Sequence, residues 1–473
     1  MNPPAVALRP RRGGAAELLV PVIEQLFRGE LPVRVRAWDG SEAGPEGAPV
    51  LVLRDRRALR RMMWHPGELG VAQAYVTGEL DVDGDITEGL RGAWRAAARR
   101  GQAGGRDQAG GRDQAGGRDQ AGGRDRAGGR DRAGSRDHAG GRNRAGGRLP
   151  AAGWLAAARV AVRLGIPGPR PPAPATQARV SGRLHSRSRD RAVIAHHYDV
   201  PAAFYQLILD PQMAYSCGYW THADSTLAGA QEDKLDLISR KLALEPGMRL
   251  LDIGCGWGSL AIHAARSYGA RVTAVTLSGE QAAHVRQRAA EAGLSALVDV
   301  RNQDYRDITG EPHDAVASVE MGEHVGAGQY PAFCDLIYTQ LRPAGRVLVQ
   351  QMSRSSRAPG GGKFIEAYIA PDMHMRPAGQ TVCLLENAGL EVRDVQSLRE
   401  HYPPTVRAWL ASLERRWDEV TGLIGTEAAR VWRLYLAGGA LAFEEGRMGV
   451  DQILAVRPTR GGRSGFPLAA RES

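Results

Sequence analysis

The sequence predicts a doubly wound α/β domain over residues 196–460, preceded by a small α+β domain over residues 1–100. Two observations support this prediction. From about residue 196 onward, short apolar segments alternate with segments of helical spacing, a pattern typical of parallel strands joined by helices. One of these apolar segments then runs into the glycine-rich turn Gly254-Cys255-Gly256-Trp257-Gly258, and open α/β sheets bind their ligands at such turns.

The composition fits a globular protein of the reducing cytosol. Of the 473 residues, 43% are hydrophobic and 24% are charged, which are ordinary values. The sequence contains neither an apolar run of about 18 residues, which a membrane-spanning helix needs, nor a recognisable secretory leader. Its four cysteines form no CxxC pair, so we expect neither a disulfide scaffold nor a metal site.

The residues between the two domains are basic and repetitive. Eight AGGR or AGSR units follow one another over residues 103–148, with no apolar side chain larger than Ala. Such a segment cannot bury enough surface to offset chain entropy, so we expect a disordered linker over residues 101–150. Residues 101–195 hold 19 arginines against seven aspartates, within a net charge of +10. A polyanion-facing segment and a solvated spacer both fit this charge.

The flanking segments have simple patterns. Apolar residues at helical spacing predict helices over residues 16–27 and 55–66, with a strand over 50–55 between them. Residues 151–195 form a basic, Pro-rich lead-in, whose stretch 153–166 predicts an amphipathic helix. Such a helix fits an anionic bilayer surface and fits equally well a docking role on its own domain. Residues 461–473 are expected to be a disordered tail.

The main domain contains five predicted strands with helices between them. The strands are expected over residues 248–253, 270–278, 297–305, 313–321 and 345–353, and the helices over 260–269, 279–293 and 333–345. Because the carboxyl ends of parallel strands meet at one edge of a sheet, residues that follow these strands are the candidates for ligand binding.

The glycine turn is the strongest local motif. Its spacing is G-x-G-x-G after Asp252, which differs from the G-x-G-x-x-G of dinucleotide enzymes. No Lys-Ser/Thr pair follows, which disfavours a phosphate-binding loop. A dinucleotide enzyme or a turn needed only for packing is the alternative interpretation.

Together, the acidic residue and the three glycines resemble the first motif of class I S-adenosylmethionine-dependent methyltransferases. The resemblance implies S-adenosylmethionine as cofactor, with its amino-acid end at the glycine turn and its ribose and adenine near the ends of the next two strands. The cofactor-binding residues it implies are Tyr215, Ser216, Asp252, Gly254, Gly256, Gly258, Thr276, Gln281, Asp304 and Tyr305.

Further motifs resemble the cyclopropane-fatty-acyl-phospholipid synthase family, which includes the mycolic acid cyclopropane synthases. These motifs are His196–Asp199, Phe204–Trp220, Val319–Gly326, Lys363–Met373 and Leu398–Leu410. The resemblance covers residues 190–458 densely and residues 30–90 weakly. It implies methyl transfer to the cis double bond of a phospholipid acyl chain. The Pro-Pro-aromatic signature of nucleic-acid methyltransferases is missing after the fourth predicted strand, so we expect no nucleic-acid partner.

The resemblance also implies a catalytic centre. Family members hold a bicarbonate ion as base, and its ligands map to Cys217, Glu323, Gln350, Met352 and Tyr402. Each of these residues also has a structural interpretation, such as a buried thiol for Cys217 or a loop cap for Glu323. Aromatic faces that would stabilise the cationic intermediate are expected from Tyr215, Tyr219, Trp220, Tyr368, Tyr402 and Trp409. Tyr198 and Asp199 are expected to close the cofactor site, and His324 to be structural.

Three positions depart from the cyclopropane synthases. Gln350 replaces a His, Met352 replaces an Ile, and Gly439 replaces a Cys of several members. The surrounding motifs look like the actinobacterial branch that forms 10-methylene acyl chains, which a separate reductase converts to 10-methyl chains. We therefore expect a methylene-branched product, with the cyclopropane ring as the alternative. A methyltransferase for a soluble small molecule and a non-catalytic lipid-binding protein are more distant alternatives. Peripheral association with the inner face of the membrane is expected, and a homodimer stays open.

Overall fold

A computed structural model of the protein describes residues 13–27, 29, 31–95, 151–178, 182–190, 201–356 and 360–467. The predicted repeat linker and the motif His196–Asp199 lie outside the described residues. The chain forms two compact units. One consists of Met1–Arg56 with Asp81–Pro169, and the other of Arg57–Leu80 with Arg170–Ser473.

The elements are numbered here in chain order. The helices are α1 (Ala15–Phe27), α2 (Arg57–Trp64), α3 (Glu68–Val76), α4 (Ala151–Arg163), α5 (Ala202–Ile208), α6 (Leu227–Lys241), α7 (Ser259–Tyr268), α8 (Gly279–Glu291), α9 (Tyr330–Gln340), α10 (Lys363–Tyr368), α11 (Ala378–Asn387), α12 (Tyr402–Arg415), α13 (Trp417–Ile424) and α14 (Thr426–Glu444). The strands are β1 (Arg34–Arg36), β2 (Glu42–Ala43), β3 (Val50–Leu53), β4 (Leu80–Asp83), β5 (Arg249–Ile253), β6 (Arg271–Thr276), β7 (Val298–Asn302), β8 (His313–Val319), β9 (Leu341–Ser353), β10 (Glu391–Ser397) and β11 (Gly449–Val456). Short 3-10 turns cover Tyr305–Asp307, Gly322–His324 and Arg399–His401.

The first unit is a small α+β structure. Its four-stranded sheet has the order β2-β1-β3-β4, and β1 pairs antiparallel with β2 and parallel with β3. Helix α1 buries Ala16 and Leu19. Helix α4, which the sequence predicted over 153–166, packs against α1 and leaves Leu155 and Val162 exposed.

Helices α2 and α3 belong to the second unit, although the sequence placed their residues in the domain 1–100. Ala72 and Val76 of α3 lie in an apolar cluster with Phe364 and Val431. The Arg430 guanidinium donates hydrogen bonds to the carbonyl oxygens of Tyr75 at 2.6 Å and Leu80 at 2.8 Å. Local periodicity cannot reveal this packing, because the partners of α3 lie about 300 residues further along the chain.

The second unit is built on a seven-stranded mixed sheet of order β10-β11-β9-β8-β5-β6-β7. Strands β5 to β9 pair in parallel, whereas β11 pairs antiparallel with both β9 and β10. Consecutive residues of β5 point to opposite faces, and Leu250 and Leu251 accordingly lie in two different apolar clusters. This arrangement confirms the predicted doubly wound α/β domain and its five parallel strands.

The end of the chain differs from the expected disordered tail. The guanidinium carbon of Arg346 lies over the Phe466 ring, 4.5 Å from the ring centroid. This contact is favourable because an aromatic face attracts a cation. Residues 468–473 lie outside the described residues.

Candidate active site

The glycine turn links β5 to α7 at the carboxyl edge of the sheet. The backbone N–H groups of Gly254 and Cys255 both donate to the carbonyl oxygen of Val275, at 2.9 and 3.0 Å, so the turn folds back over the end of β6. Gly258 has a φ of 84°, and a Cβ there would lie 2.7 Å from the Val285 side chain. Gly256 has a φ of 51° and open space where its Cβ would be, which lets a ligand approach the backbone.

A cavity opens above this turn, between the ends of β5, β6 and β8. Eight of the ten predicted cofactor-binding residues line it: Tyr215, Ser216, Asp252, Gly254, Gly256, Thr276, Gln281 and Tyr305. The other two have different positions. Gly258 is the N-cap residue of α7. Asp304 is the N-cap residue of the 3-10 turn Tyr305–Asp307, where it accepts hydrogen bonds from the backbone and side chain of Arg306.

The buried polar atoms of the cavity that have no hydrogen-bond partner among the described residues include Oδ2 of Asp252 and Nε2 of Gln281. These two residues are 2% and 3% exposed. The Gln281 amide is held by its oxygen, which accepts from the Thr276 hydroxyl at 2.7 Å. Burial raises the pKa of Asp252 to about 7. The free oxygen of Asp252 can accept from the amino group of a ligand, and the free nitrogen of Gln281 can donate to a ribose hydroxyl. S-adenosylmethionine offers both groups.

Lys234 is a cavity residue that sequence reasoning missed. Its side chain is 1% exposed, and Nζ donates to the Ser216 hydroxyl at 2.7 Å. Burial lowers the pKa of Lys234, and the carboxylates of Glu320, Asp210 and Asp252 counter this effect. The buried positions 231, 234, 235 and 238 of α6 share the 3.6-residue period of one helix face, and this period could have revealed a lysine facing inward.

The lead-in contributes a wall of the cavity. His185 and Asp190 line it, and Asp190 pairs with Arg306 at 3.0 Å. The neighbouring Arg189 forms a two-bond pair with Asp372, at 2.5 and 2.9 Å. These pairs attach residues 182–190 to the 3-10 turn that contains Arg306 and to the segment that contains Asp372. No local pattern in the sequence indicates this contact.

Three of the four predicted catalytic residues meet at Glu320, a residue that sequence reasoning did not select. The Cys217 backbone N–H and the Gln350 side-chain amide each donate to Oε1 of Glu320 at 2.9 Å. The Tyr402 hydroxyl donates to Oε2 of the same carboxylate. Glu320 also lines the cofactor cavity, so its carboxylate connects the predicted catalytic residues to the cofactor site.

The Cys217 thiol takes no part in this contact. It is fully buried and donates to the carbonyl oxygen of Leu398 at 3.7 Å. Burial, reinforced by the charge of Glu320, raises the pKa of Cys217 well above its usual value, which keeps the sulfur protonated and unreactive.

Glu323, the fourth predicted catalytic residue, accepts its hydrogen bond from a different group. Its Oε1 accepts from the Met352 backbone N–H at 2.5 Å, and its Oε2 has no partner among the described residues. Burial and the nearby charge of Glu320 raise the pKa of Glu323 to about 8, so its carboxyl is protonated at neutral pH. The adjacent His324 is half-buried, and desolvation lowers its pKa to about 4, which keeps the imidazole neutral.

An aromatic cluster adjoins Glu320. The Tyr215 ring lies 5.3 Å from Trp409 and 6.0 Å from Trp432, and its hydroxyl donates to that of Tyr435 at 3.2 Å. Tyr402 lies 4.2 Å from Phe443. Three of the six predicted aromatic residues therefore come together, and α14 adds Trp432, Tyr435 and Phe443, which the sequence reasoning missed.

The other three predicted aromatic residues lie elsewhere. Tyr219 stacks near His401, with ring centroids 4.9 Å apart, and the Trp220 indole donates to the Thr405 hydroxyl at 2.9 Å. Tyr368 packs with Phe364 in the cluster around α3.

The family of the chain follows from comparison with known proteins. The model of the mycolic acid cyclopropane synthetase family matches residues 185–453. The chain belongs to this family. It is an S-adenosylmethionine-dependent methyltransferase, in agreement with the cavity beside the glycine turn.

Three relatives of this methyltransferase cover between 56% and 93% of its length. A probable fatty acid methyltransferase of Mycobacterium tuberculosis is 33% identical over 457 residues, 93% of this chain and 94% of that protein. The tuberculostearic acid methyltransferase UfaA1 of the same species is 36% identical over 287 residues, 58% of this chain and 66% of that protein. A solved structure, the mycolic acid cyclopropane synthase CmaA1 complexed with SAH and CTAB, shares 32% sequence identity with this chain. The match covers 56% of this chain and 97% of the CmaA1 chain, with a TM-score of 0.54.

Proposed function

We propose that this methyltransferase transfers a methyl group from S-adenosylmethionine to the cis double bond of an unsaturated acyl chain in a phospholipid, leaving a methylene branch. The observation that carries the proposal is the position of the aromatic cluster and Glu320 beside the cofactor cavity. Relatives named fatty acid methyltransferase and tuberculostearic acid methyltransferase support an acyl substrate.

The cofactor would be held by residues of the cavity wall. Asp252 offers an acceptor to its amino group, Lys234 a cation to its carboxylate, and Gln281 a donor to its ribose. When bound, S-adenosylmethionine supplies an electrophilic methyl group, and attack by the π electrons of the alkene leaves a positive charge on the acyl chain.

The aromatic cluster suits that charge. The faces of Tyr215, Trp409 and Trp432 stabilise a cation without bonding to it. Trp409 is 2% exposed and Trp432 is 4% exposed, so water is kept from the region where it would trap the cation as an alcohol.

The cyclopropane ring is the alternative product, and the solved relative named a cyclopropane synthase favours it. Both products arise from one cation and differ in whether a hydride moves before the proton is lost. Gln350, where the cyclopropane synthases carry His, favours the methylene product. Action at the inner face of the membrane, a reductase that acts on the product and a homodimer are further parts of this proposal. Among the described residues, no helix is both long and apolar enough to cross a membrane.

The test uses purified protein, radiolabelled S-adenosylmethionine and two kinds of anionic vesicle. One contains dioleoyl phosphatidylglycerol and the other its saturated distearoyl counterpart. We expect label in the acyl chains of the first alone, since a saturated chain has no π electrons. Label in a soluble acceptor but in neither lipid would contradict the proposal.

A further inference from the structure

The Glu320 carboxylate is held by donors from three separate segments of the chain. The Cys217 backbone follows α5, Gln350 lies in β9, and Tyr402 begins α12. Two of the three bonds measure 2.9 Å, and the third comes from the Tyr402 hydroxyl. Three converging donors form a site for an anion, and a side chain of the protein itself already supplies that anion.

The orientation of the Gln350 amide is fixed. Gln350 is fully buried, and its side-chain oxygen accepts from Nε2 of Gln452 at 3.0 Å. Its nitrogen is therefore directed at Glu320. The backbone of Glu320 returns the contact, because its N–H donates to the Gln350 carbonyl oxygen at 2.6 Å.

Glu320 adopts a backbone conformation that most residues avoid. Its φ is 51°, in the left-handed region, where the Cβ of an L-residue comes too close to the following carbonyl oxygen. The position directly follows β8, and this conformation directs the carboxylate to the donors on Cys217, Gln350 and Tyr402. Strain of this kind persists where the surrounding structure fixes it, and it concentrates at functional sites.

We propose that Glu320 is the general base of the reaction, and that its carboxylate takes the place of a bound bicarbonate ion. This inference rests on the proposed function. A bicarbonate ion at this point would be repelled by the charge of Glu320. The donors on Cys217, Gln350 and Tyr402 would not be available to it, because they already bond to Glu320.

Methyl transfer forms one C–C bond and breaks the bond between the methyl carbon and the sulfonium sulfur. The π pair of the alkene makes the new bond, the electrons of the broken S–C bond stay on the sulfur, and the other alkene carbon becomes cationic. A hydride then moves between the two carbons, which places the charge on the carbon that bears the methyl group. Glu320 takes one proton from that methyl group, and the electrons of the broken C–H bond form the exocyclic double bond.

The electrostatics of the site suit this role. Burial raises the pKa of Glu320, and the hydrogen bonds from Tyr402, Cys217 and Gln350 oppose that effect. A carboxylate with a raised pKa is a stronger base than one in water. The nearby ring faces hold the cation within reach of it.

The test removes the carboxylate and supplies small acids in its place. Glu320→Gly suits the left-handed backbone and leaves the three donors unoccupied, whereas Glu320→Gln fills the space with an amide. Rates are measured on dioleoyl phosphatidylglycerol vesicles in CO2-free buffer, with and without bicarbonate, formate or acetate. Binding of ¹³C-bicarbonate is followed by infrared spectroscopy, and binding of S-adenosylhomocysteine by calorimetry. Glu311→Gln, the same change at a side chain that is 89% exposed, is the matched control.

We expect bicarbonate to leave the methylation rate of the unaltered protein and of Glu311→Gln unchanged. Neither protein should show an infrared signal of bound ¹³C-bicarbonate. Glu320→Gly should lose about 100-fold in rate, bind ¹³C-bicarbonate, and recover at least tenfold with the small acids. Its recovered rate should follow the pKa of the acid added. Glu320→Gln should be equally slow and show no recovery, while both variants bind S-adenosylhomocysteine normally.

Two results would overturn the assignment. One is a bicarbonate requirement in the unaltered protein, and the other is a full rate in Glu320→Gln. Either leaves the proposed function intact, because lipid is still methylated. If the unaltered protein methylates no vesicle lipid under any buffer, the proposed function and the role of Glu320 fail together.

Discussion

Two glutamates three residues apart have different hydrogen-bond partners. Glu320 faces the cofactor cavity and accepts three hydrogen bonds, whereas Glu323 accepts a backbone hydrogen bond from Met352. Both glutamates stand in the matched motif, and the family resemblance selected Glu323 because a bicarbonate ligand of the family maps to it. The left-handed φ of Glu320 decides which carboxylate meets Cys217, Gln350 and Tyr402, and no local sequence pattern encodes it. The acidic residue and glycines before α7 could be predicted, because their chemistry is local to one turn.

At the residue scale, Asp252→Asn should change folding stability and ligand binding in opposite directions. The apo protein should become more stable at pH 8, whereas S-adenosylhomocysteine should bind more weakly. Burial raises the pKa of Asp252 to about 7, while an unfolded Asp ionises near 3.9. The stability supplied by the bound proton is complete below pH ~4 and is lost as the pH rises to ~7. Asn cannot ionise, so we expect the apo variant to exceed the unaltered protein in free energy of unfolding at pH 8, by up to about 4 kcal/mol.

The two proteins should converge in stability near pH 4. Urea unfolding at pH 4.5 and 8 measures this difference. The same variant should bind S-adenosylhomocysteine more weakly at pH 8, because the amino group of the ligand loses its carboxylate partner. Equal stability of the two proteins at pH 8 would contradict the raised pKa that burial gives Asp252.

At the element scale, the antiparallel strand β11 supports the active site. Its pairing with β9 puts Gln452 opposite Gln350, while β8 pairs with β9 so that Val319 lies beside Gln350 and Glu320 follows. The alternation of strands and helices predicted the parallel strands, since that pattern is local. The insertion of β11 between β9 and β10, and the packing of α3 against α14, depend on pairings between distant segments and could not be predicted from periodicity.

Gln452→Leu tests this support. The substitution removes the donor that fixes the Gln350 amide, so Gln350 can turn away from Glu320. We expect the methylation rate to fall about tenfold, the value of one lost hydrogen bond of about 1.4 kcal/mol, with unchanged affinity for S-adenosylhomocysteine. Asp451→Asn is the control, because its side chain accepts from Ser353 at 2.6 Å instead. An undiminished rate in Gln452→Leu would show that β11 does not orient the base.

At the scale of the whole molecule, most of the excess basic charge precedes the sheet that carries the cofactor cavity. It is concentrated in residues 101–195, of which the described part 182–190 reaches the cavity. For the phospholipid substrate proposed above, a basic segment would attract the protein to anionic headgroups. This expectation comes from composition alone, because net charge does not depend on the fold.

The attraction is measured by sedimentation with vesicles. Each arginine near an anionic surface contributes about 1 kcal/mol of binding free energy, and salt screens that contribution. We expect binding to phosphatidylglycerol vesicles that weakens as salt is added, and little binding to neutral phosphatidylcholine vesicles. A variant with the arginines of residues 101–148 replaced by glutamine should bind anionic vesicles more weakly at equal catalytic competence. Binding indifferent to lipid charge would contradict the role of the segment.

Methyl transfer to an acyl double bond is tested most directly by product analysis with a trideuteromethyl donor. The unaltered protein is incubated with dioleoyl phosphatidylglycerol vesicles and labelled S-adenosylmethionine, and the acyl chains are examined by mass spectrometry and proton and deuterium NMR. An exocyclic methylene that retains two deuterium atoms is the expected product, since one is lost from the transferred methyl group. A ring carbon bearing two deuterium atoms would contradict the methylene product, and an intact trideuteromethyl branch would contradict proton loss from the methyl group. Acyl chains without any mass gain would contradict the proposed function itself.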